Sequence, residues 1–419
     1  MKDFNLLKNN SLIIITQSFP FGLAESSFLK EEIKSLAKVF KVHIVSRNVR
    51  DSQYVEISDK IKIFRYDSSA EYSIFKLFLL ALCSPVLYYE LFTLLRKRKN
   101  NISNIKKCFS LQMRIIHFAR YLSKIRKQIN ENVIFYSYWN DYGCFAATKV
   151  KEIGDVVVSR LHGGDLYELE INGNYQPFKC MNKHVDLFSF ISNKGLRYFN
   201  ETYFYISDKA YVNYLGVPSR DVSYTFTDRK DIRIVSFSYV RDIKRIDRII
   251  DSLSCVYGTK VYWTHIGARY LFEQVKEYAK QKLSCKDNVI YDFLGEMKNE
   301  DALSYIASSE FDFLVNVSST EGMPMTMMEA FSMSIPVIGT KVGGVPEVVK
   351  HGINGYLLEV NFSNKDFVDI LLNYVSLPFT MKCRLRDKAK DTWERNFYDV
   401  KNYDCFTHLL MTKFKKHEA

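Results

Sequence analysis

The sequence predicts an α/β protein made of two doubly wound, Rossmann-like domains, each a parallel sheet with helices on both faces. Three observations point there. Short apolar runs alternate with helical patterns along the chain. The alternation lapses once, in a polar, aromatic-spotted stretch over residues 218–231, and then restarts. The 419 residues exceed one ordinary core and suit two domains of about 200.

In the first series, strands are expected at 12–15, 42–45, 133–136, 156–161 and 187–191, with a helix over 25–40 and further helical patterns between them. The second series has strands at 232–237, 261–266, 289–293, 311–315, 336–338 and 356–358. Helices at 244–254, 270–283, 302–308 and 325–332 separate them, and helical patterns at 382–395 and 403–415 close the chain. This places the first domain at 1–225 and the second at 226–395. Ligands of such paired domains lie in the cleft between them, off the carboxyl ends of the strands.

The net charge of +12 favours anionic partners. No nucleic-acid module is present, so a phosphorylated small molecule or an acidic membrane surface is expected, and nucleic acid is not. The eight cysteines are scattered without a C-x-x-C pair, which predicts reduced, mostly buried thiols in a cytoplasmic protein with no structural metal. Residues 1–10 are polar and lack a signal-peptide profile. Residues 77–95 are rich in Leu, Phe and Tyr but contain Pro85 and Glu90, and Arg96 to Lys99, Lys106 and Lys107 follow. Three readings stay open for them: a peripheral contact with the inner face of the plasma membrane, a buried helix pair, or a membrane span.

The chemistry concentrates after the strand ending near Val317, in Ser318-Ser319-Thr320-Glu321-Gly322-Met323-Pro324. Gly322 permits a tight turn, and Pro324 suits the first helical position. The amides of Met325 and Thr326 then face outward at the positive end of a helix, where a diphosphate fits. Glu321 lies before that helix and Glu329 one turn beyond its start. Carboxylates beside an anion site suit the hydroxyls of a ribose or a sugar. They also suit plain capping of a helix start.

Glu321-x7-Glu329, followed by Ala330-Phe-Ser-Met-Ser-Ile-Pro-Val-Ile338 and by Val342-Gly-Gly-Val-Pro-Glu-Val-Val-Lys-His-Gly-Ile-Asn-Gly-Tyr-Leu-Leu358, resembles the signature of family 4 retaining glycosyltransferases of the GT-B fold. The resemblance implies a nucleotide-sugar donor, UDP- or GDP-linked, with Glu329 on the ribose and Glu321 on the sugar. Ser236-Phe-Ser-Tyr-Val-Arg-Asp-Ile-Lys244 is similar to the family segment whose Lys reaches the diphosphate, which implies that role for Lys244. An Arg is common where this chain has Tyr239, so Arg241 or Arg245 is the expected substitute. Ser159-Arg-Leu-His-Gly-Gly-Asp165 resembles the strand-end segment whose His, here His162, approaches the transferred sugar; Asp165 would orient the loops nearby. The loop of Gly22 resembles the one that approaches donor or acceptor. Backbone near residues 295–298 would meet the base.

The resemblance further implies that residues 396–419 cross back to the first domain, and that the anomeric configuration is retained. No Asp-x-Asp occurs, so Lys244 and the helix amides would replace a metal in stabilising the leaving group. The expected acceptor is a saccharide or a polyprenyl-pyrophosphate-linked saccharide in bacterial surface polysaccharide synthesis. An inactive donor-binding scaffold and a sugar-nucleotide 2-epimerase are the alternatives.

Overall fold

The computed structural model describes residues 10–22, 25–48, 52–67, 73–167, 175–204, 206 and 208–418. The polar residues 1–9, and Leu23 and Ala24 of the loop after the first strand, lie outside them. The chain divides into two units, Met1–Leu215 with Asp399–Ala419, and Gly216–Tyr398.

The sheet of the first unit contains β1 (Ser11–Thr16), β2 (Lys41–Ser46), β3 (Lys62–Arg65), β4 (Val133–Ser137), β5 (Val156–Leu161), β6 (Leu187–Phe190) and β7 (Ala210–Val212). They run parallel in the order β3-β2-β1-β4-β5-β6-β7. The central strands read as unbroken apolar runs because both faces of a parallel sheet are covered; every residue of β1, β4 and β5 is buried. The covering helices are α1 (Ser26–Leu36), α2 (Ile74–Leu82), α3 (Pro85–Arg96), α4 (Ile102–Arg126), α5 (Tyr142–Val150) and α6 (Asn193–Thr202). Pro85 does not interrupt one helix but opens the second, and α2 and α3 are bent by 71°. Among the described residues no single helix is long and apolar enough to cross a membrane.

The second unit repeats the plan with β8 (Ile232–Phe237), β9 (Val261–Ile266), β10 (Val289–Gly295), β11 (Phe313–Asn316), β12 (Val337–Thr340) and β13 (Gly355–Leu358). The parallel order is β10-β9-β8-β11-β12-β13. Its helices are α7 (Ile246–Ser254), α8 (Phe272–Leu283), α9 (Asn299–Ser308), α10 (Met325–Ser332), α11 (Val345–Val348), α12 (Asn364–Val375) and α13 (Phe379–Asn396). Trp393 closes this unit, donating its indole N–H to the Val217 carbonyl at 3.0 Å.

The last helix, α14 (Asp399–Glu418), belongs to the first unit. Its Phe406, Leu410, Met411 and Phe414 share a buried cluster with Leu12 and Ile14 of β1 and Ile134 and Tyr136 of β4. The expectation of mostly buried thiols is corrected. Cys108 and Cys144 are buried, but Cys83, Cys255, Cys285 and Cys405 are exposed, because they sit at helix ends or on outer helix faces.

Candidate functional site

In each sheet the strand order reverses between two central neighbours, β1 and β4 in the first and β8 and β11 in the second. The loops leaving such neighbours diverge and open a crevice. In the second unit the loop after β8 tightens into a 3-10 turn, Asp242–Lys244, and passes through Arg245 at φ 51° into α7. The loop after β11 runs through Glu321 to α10.

The two loops meet through charge. The Lys244 ammonium lies 2.6 Å from Glu321 Oε1, with both side chains largely covered. The same oxygen accepts from the Asn316 amide at 3.0 Å and lies 2.7 Å from Ser318 Oγ. A backbone bond from Ser319 N–H to the Ile243 carbonyl, 2.8 Å, ties the loops again. Arg245 is corrected from a candidate anion contact. Its guanidinium donates to the carbonyls of Val317, Ser318 and Val360 at 2.7, 3.3 and 2.7 Å, so it clamps the loop from behind.

Gly322 hands the chain to α10, and its carbonyl accepts from Gly344 N–H at 2.7 Å. Gly343 sits at φ 49°, where a Cβ would lie 1.5 Å from the Glu321 carbonyl oxygen; one on Gly344 would lie 2.6 Å from that of Gly322. Pro324 is the residue before the helix rather than its first residue. The amides of Met325 and Thr326 belong to the first turn and have no intrahelical carbonyl to bond, and both residues are half-buried.

Glu329 lies on the same helix, buried, with Asn299 Nδ2 at 3.5 Å. Burial pushes its carboxyl up to about 7, against the pull of Asn299 and Arg220. Arg241 is exposed, with its guanidinium 5.4 Å from the Tyr270 ring centre. Tyr239 is also exposed, and Arg269 covers its ring at 4.2 Å while pairing with Glu296. Gly295 ends β10 at φ 74° and accepts from Gly267 N–H at 2.8 Å.

In the first unit His162 follows β5. Its ring is buried beside Tyr138 and Trp139, at centroid distances of 4.9 and 4.4 Å. Among the described residues neither ring nitrogen has a hydrogen-bond partner. Burial first, and the Arg160 charge second, hold its pKa well below the ordinary value, so the imidazole is neutral. Asp165 accepts from the His162 and Asn140 amides, both at 2.7 Å, and thereby ties the ends of β5 and β4. Its carboxyl is raised to about 7 by burial, with Lys179 opposing.

Gly22 turns the loop after β1; a Cβ there would meet Ser18 Cβ at 2.6 Å. The Glu25 carboxylate fills that loop, accepting from the amides of Gln17, Ser18 and Phe19 at 2.9, 2.6 and 2.8 Å and from the Trp139 indole at 2.5 Å.

The structure thus brings Lys244, Glu321, Gly322 and the start of α10 together, and sets Glu329 further along that helix. Arg241 packs by the Tyr270 ring, and His162 and Gly22 are held in the first unit. Sequence reasoning gave no role to Asn316, Ser318, Asn299 or Glu25. Their one signal was polarity at the end of an apolar strand or inside a turn, which is common in any loop.

A family model described as "Glycosyl transferases group 1" matches residues 226–392. The chain is 30% identical over 134 residues to N-acetyl-alpha-D-glucosaminyl L-malate synthase of Bacillus anthracis; the match spans 30% of this chain and only 32% of that protein's length. It is 27% identical over 307 residues to an uncharacterised glycosyltransferase of Methanocaldococcus jannaschii, spanning 71% of this chain and 81% of that one. Among solved structures, the lipopolysaccharide outer core galactosyltransferase WaaB superposes with a TM-score of 0.67 at 20% identity, over 96% of this chain and 99% of that one. Anabaena HepE in complex with UDP-glucose gives 0.64 at 14%, over 96% and 99%. The fold is therefore GT-B, and residues 226–392 form a domain matched by the glycosyltransferase group 1 family.

Proposed function

We propose that the protein is a metal-independent, retaining glycosyltransferase that moves a hexosyl group from a UDP- or GDP-linked sugar to a saccharide or polyprenyl-pyrophosphate-linked saccharide, in the synthesis of a bacterial surface polysaccharide. The observation that carries this is the contact of Lys244 with Glu321, which sets a cation, a carboxylate and a helix start at one strand-order reversal. The donor diphosphate lies against the first amides of α10, with Lys244 neutralising the charge that grows as the leaving group departs. Glu321, fixed by Asn316 and Ser318, takes the sugar hydroxyls, and Glu329 takes the ribose. Arg241 or Arg269 gives the second cationic contact that Tyr239 cannot.

In the transfer, the bond from the anomeric carbon to the diphosphate oxygen breaks. The acceptor oxygen bonds to that carbon on the same face, and its proton passes to the leaving phosphate. His162, a neutral imidazole, contacts the transferred sugar and transfers no proton. The sequence match, the HepE complex with UDP-glucose and the likeness to the lipopolysaccharide outer core galactosyltransferase WaaB support this reading.

A thermal-shift panel of nucleotide-sugars tests it. The true donor, at 100 times its Kd, stabilises the protein by about 2.7 kcal/mol, while Glu321→Ala keeps the fold and loses transfer. If no member of the panel stabilises the chain at millimolar concentration, the proposal is wrong.

A further inference from the structure

The helices α2 and α3 each have two faces. Toward the core, Leu77, Ala81, Leu87 and Leu94 are buried, and so is Glu90, whose carboxylate accepts from the Tyr175 hydroxyl. Away from the core the exposed side chains are mainly apolar, with Lys76 exposed among them on α2. On α2 the apolar ones are Ile74, Phe75, Phe78 and Leu79; on α3 they are Tyr88, Tyr89, Phe92 and Leu95. Ile74, Phe75 and Phe92 leave 76%, 70% and 62% of their surface open, far more than packing in a folded unit requires. Their i, i+1, i+4 spacing keeps each set on one side of its helix, and so large an apolar face marks an interaction site.

Its surroundings select the partner. Across residues 73–130 the one acidic side chain is the buried Glu90, against a dozen Lys and Arg. Arg96, Lys97 and Arg98 are exposed at the end of α3, and Lys106 and Lys107 are exposed on α4. A second copy would bring like charge against like charge, whereas an anionic lipid surface neutralises it. The pair does not span a bilayer. Helices of 9 and 12 residues reach roughly 14 and 18 Å against a hydrocarbon core of about 30 Å, and one side of each is spent on the protein core.

We propose that the first unit docks on an anionic membrane surface, laying the exposed face of α2 and α3 into the headgroup region with the run from Arg96 to Lys99 against lipid phosphates. Lys97 and Lys99 also lie over the Tyr175 ring at 5.5 and 5.9 Å, and Lys97 is 6.0 Å from that of Tyr203, whose hydroxyl donates to the Leu166 carbonyl. A membrane seated here borders the segment that follows His162.

Flotation of the full chain with lipid vesicles tests this without reference to transfer activity. Wild-type protein floats with phosphatidylcholine vesicles containing phosphatidylglycerol, and roughly tenfold less with phosphatidylcholine alone. Phe75→Asp with Phe92→Asp lowers flotation on the mixed vesicles by about tenfold or more. Arg96→Glu with Arg98→Glu removes the preference for the anionic lipid. All four side chains are exposed, so both variants should melt as wild type does; if the Phe pair misfolds, the Arg pair alone decides. Wild type that stays unbound, or a folded Phe variant that floats undiminished, overturns the proposal. So does a dimer that the Phe substitutions dissolve while vesicle binding stays the same, since the face would then serve a second copy.

Discussion

A carboxyl group buried as deeply as that of Glu329 prefers its proton, and its pKa near 7 makes the consequence measurable. The folded value lies above the ordinary carboxylate value of 4.5, so between those two pH values the native state holds more proton than the unfolded chain. Stability therefore falls as pH rises through that window, and the cost, at most about 3 kcal/mol, is complete above it. Glu329→Gln removes the cost. The variant should melt higher than wild type at pH 8 and about equally at pH 5, in paired thermal scans. If Glu329 grips the ribose, the same variant binds donor roughly tenfold more weakly, since an amide accepts fewer hydrogen bonds from vicinal hydroxyls. Wild-type donor affinity should also rise from pH 6 to pH 8 in titration calorimetry. Lys244→Ala is a separate case: Glu321 keeps Asn316 and Ser318 as partners, so the fold survives while kcat/KM falls by about 100-fold or more.

At the scale of elements, the loop bearing Glu321 is held by the downstream glycine pair Gly343 and Gly344. Gly343→Ala would add a methyl group 1.5 Å from the Glu321 carbonyl at a positive φ, so the loop must move. We expect about 2 kcal/mol or more lost in urea unfolding, and a loss of transfer larger than that destabilisation explains. The sequence revealed the central strands almost to the residue: 156–161, 232–237 and 261–266 coincide with β5, β8 and β9, because buried parallel strands are continuous apolar runs. It missed β3 and β7, four and three residues long at the sheet edges, where half-exposed positions break the run. The helix expected over 25–40 ends at Leu36. The ion pair of Lys244 with Glu321 was not readable, since it joins residues 77 apart through the strand order. Nor was Arg245's part as a clamp, which depends on three carbonyls that no side-chain pattern encodes.

At the scale of the molecule, the first unit is assembled from both ends of the described chain. Arg160 of β5 is wholly buried against Glu32 of α1, with Tyr136 donating to the same carboxylate at 2.7 Å, and its guanidinium lies 4.7 Å from the Phe406 ring of α14. Arg160→Met leaves the Glu32 carboxyl buried without its cation and should cost about 3–5 kcal/mol in equilibrium unfolding. A chain ending at Tyr398 lacks Phe406, Leu410 and Phe414 and uncovers the β1–β4 face beneath them. Limited proteolysis of that fragment should spare 216–398 and digest the earlier residues.

The return of α14 bears on how the polypeptide is made. As it leaves the ribosome, everything needed to complete the second sheet emerges before the helix that seals the first. The portion translated earliest must therefore wait, its apolar strands partly uncovered, until the closing turns of α14 arrive. In this protein the usual order in which amino-terminal domains mature first should therefore be reversed.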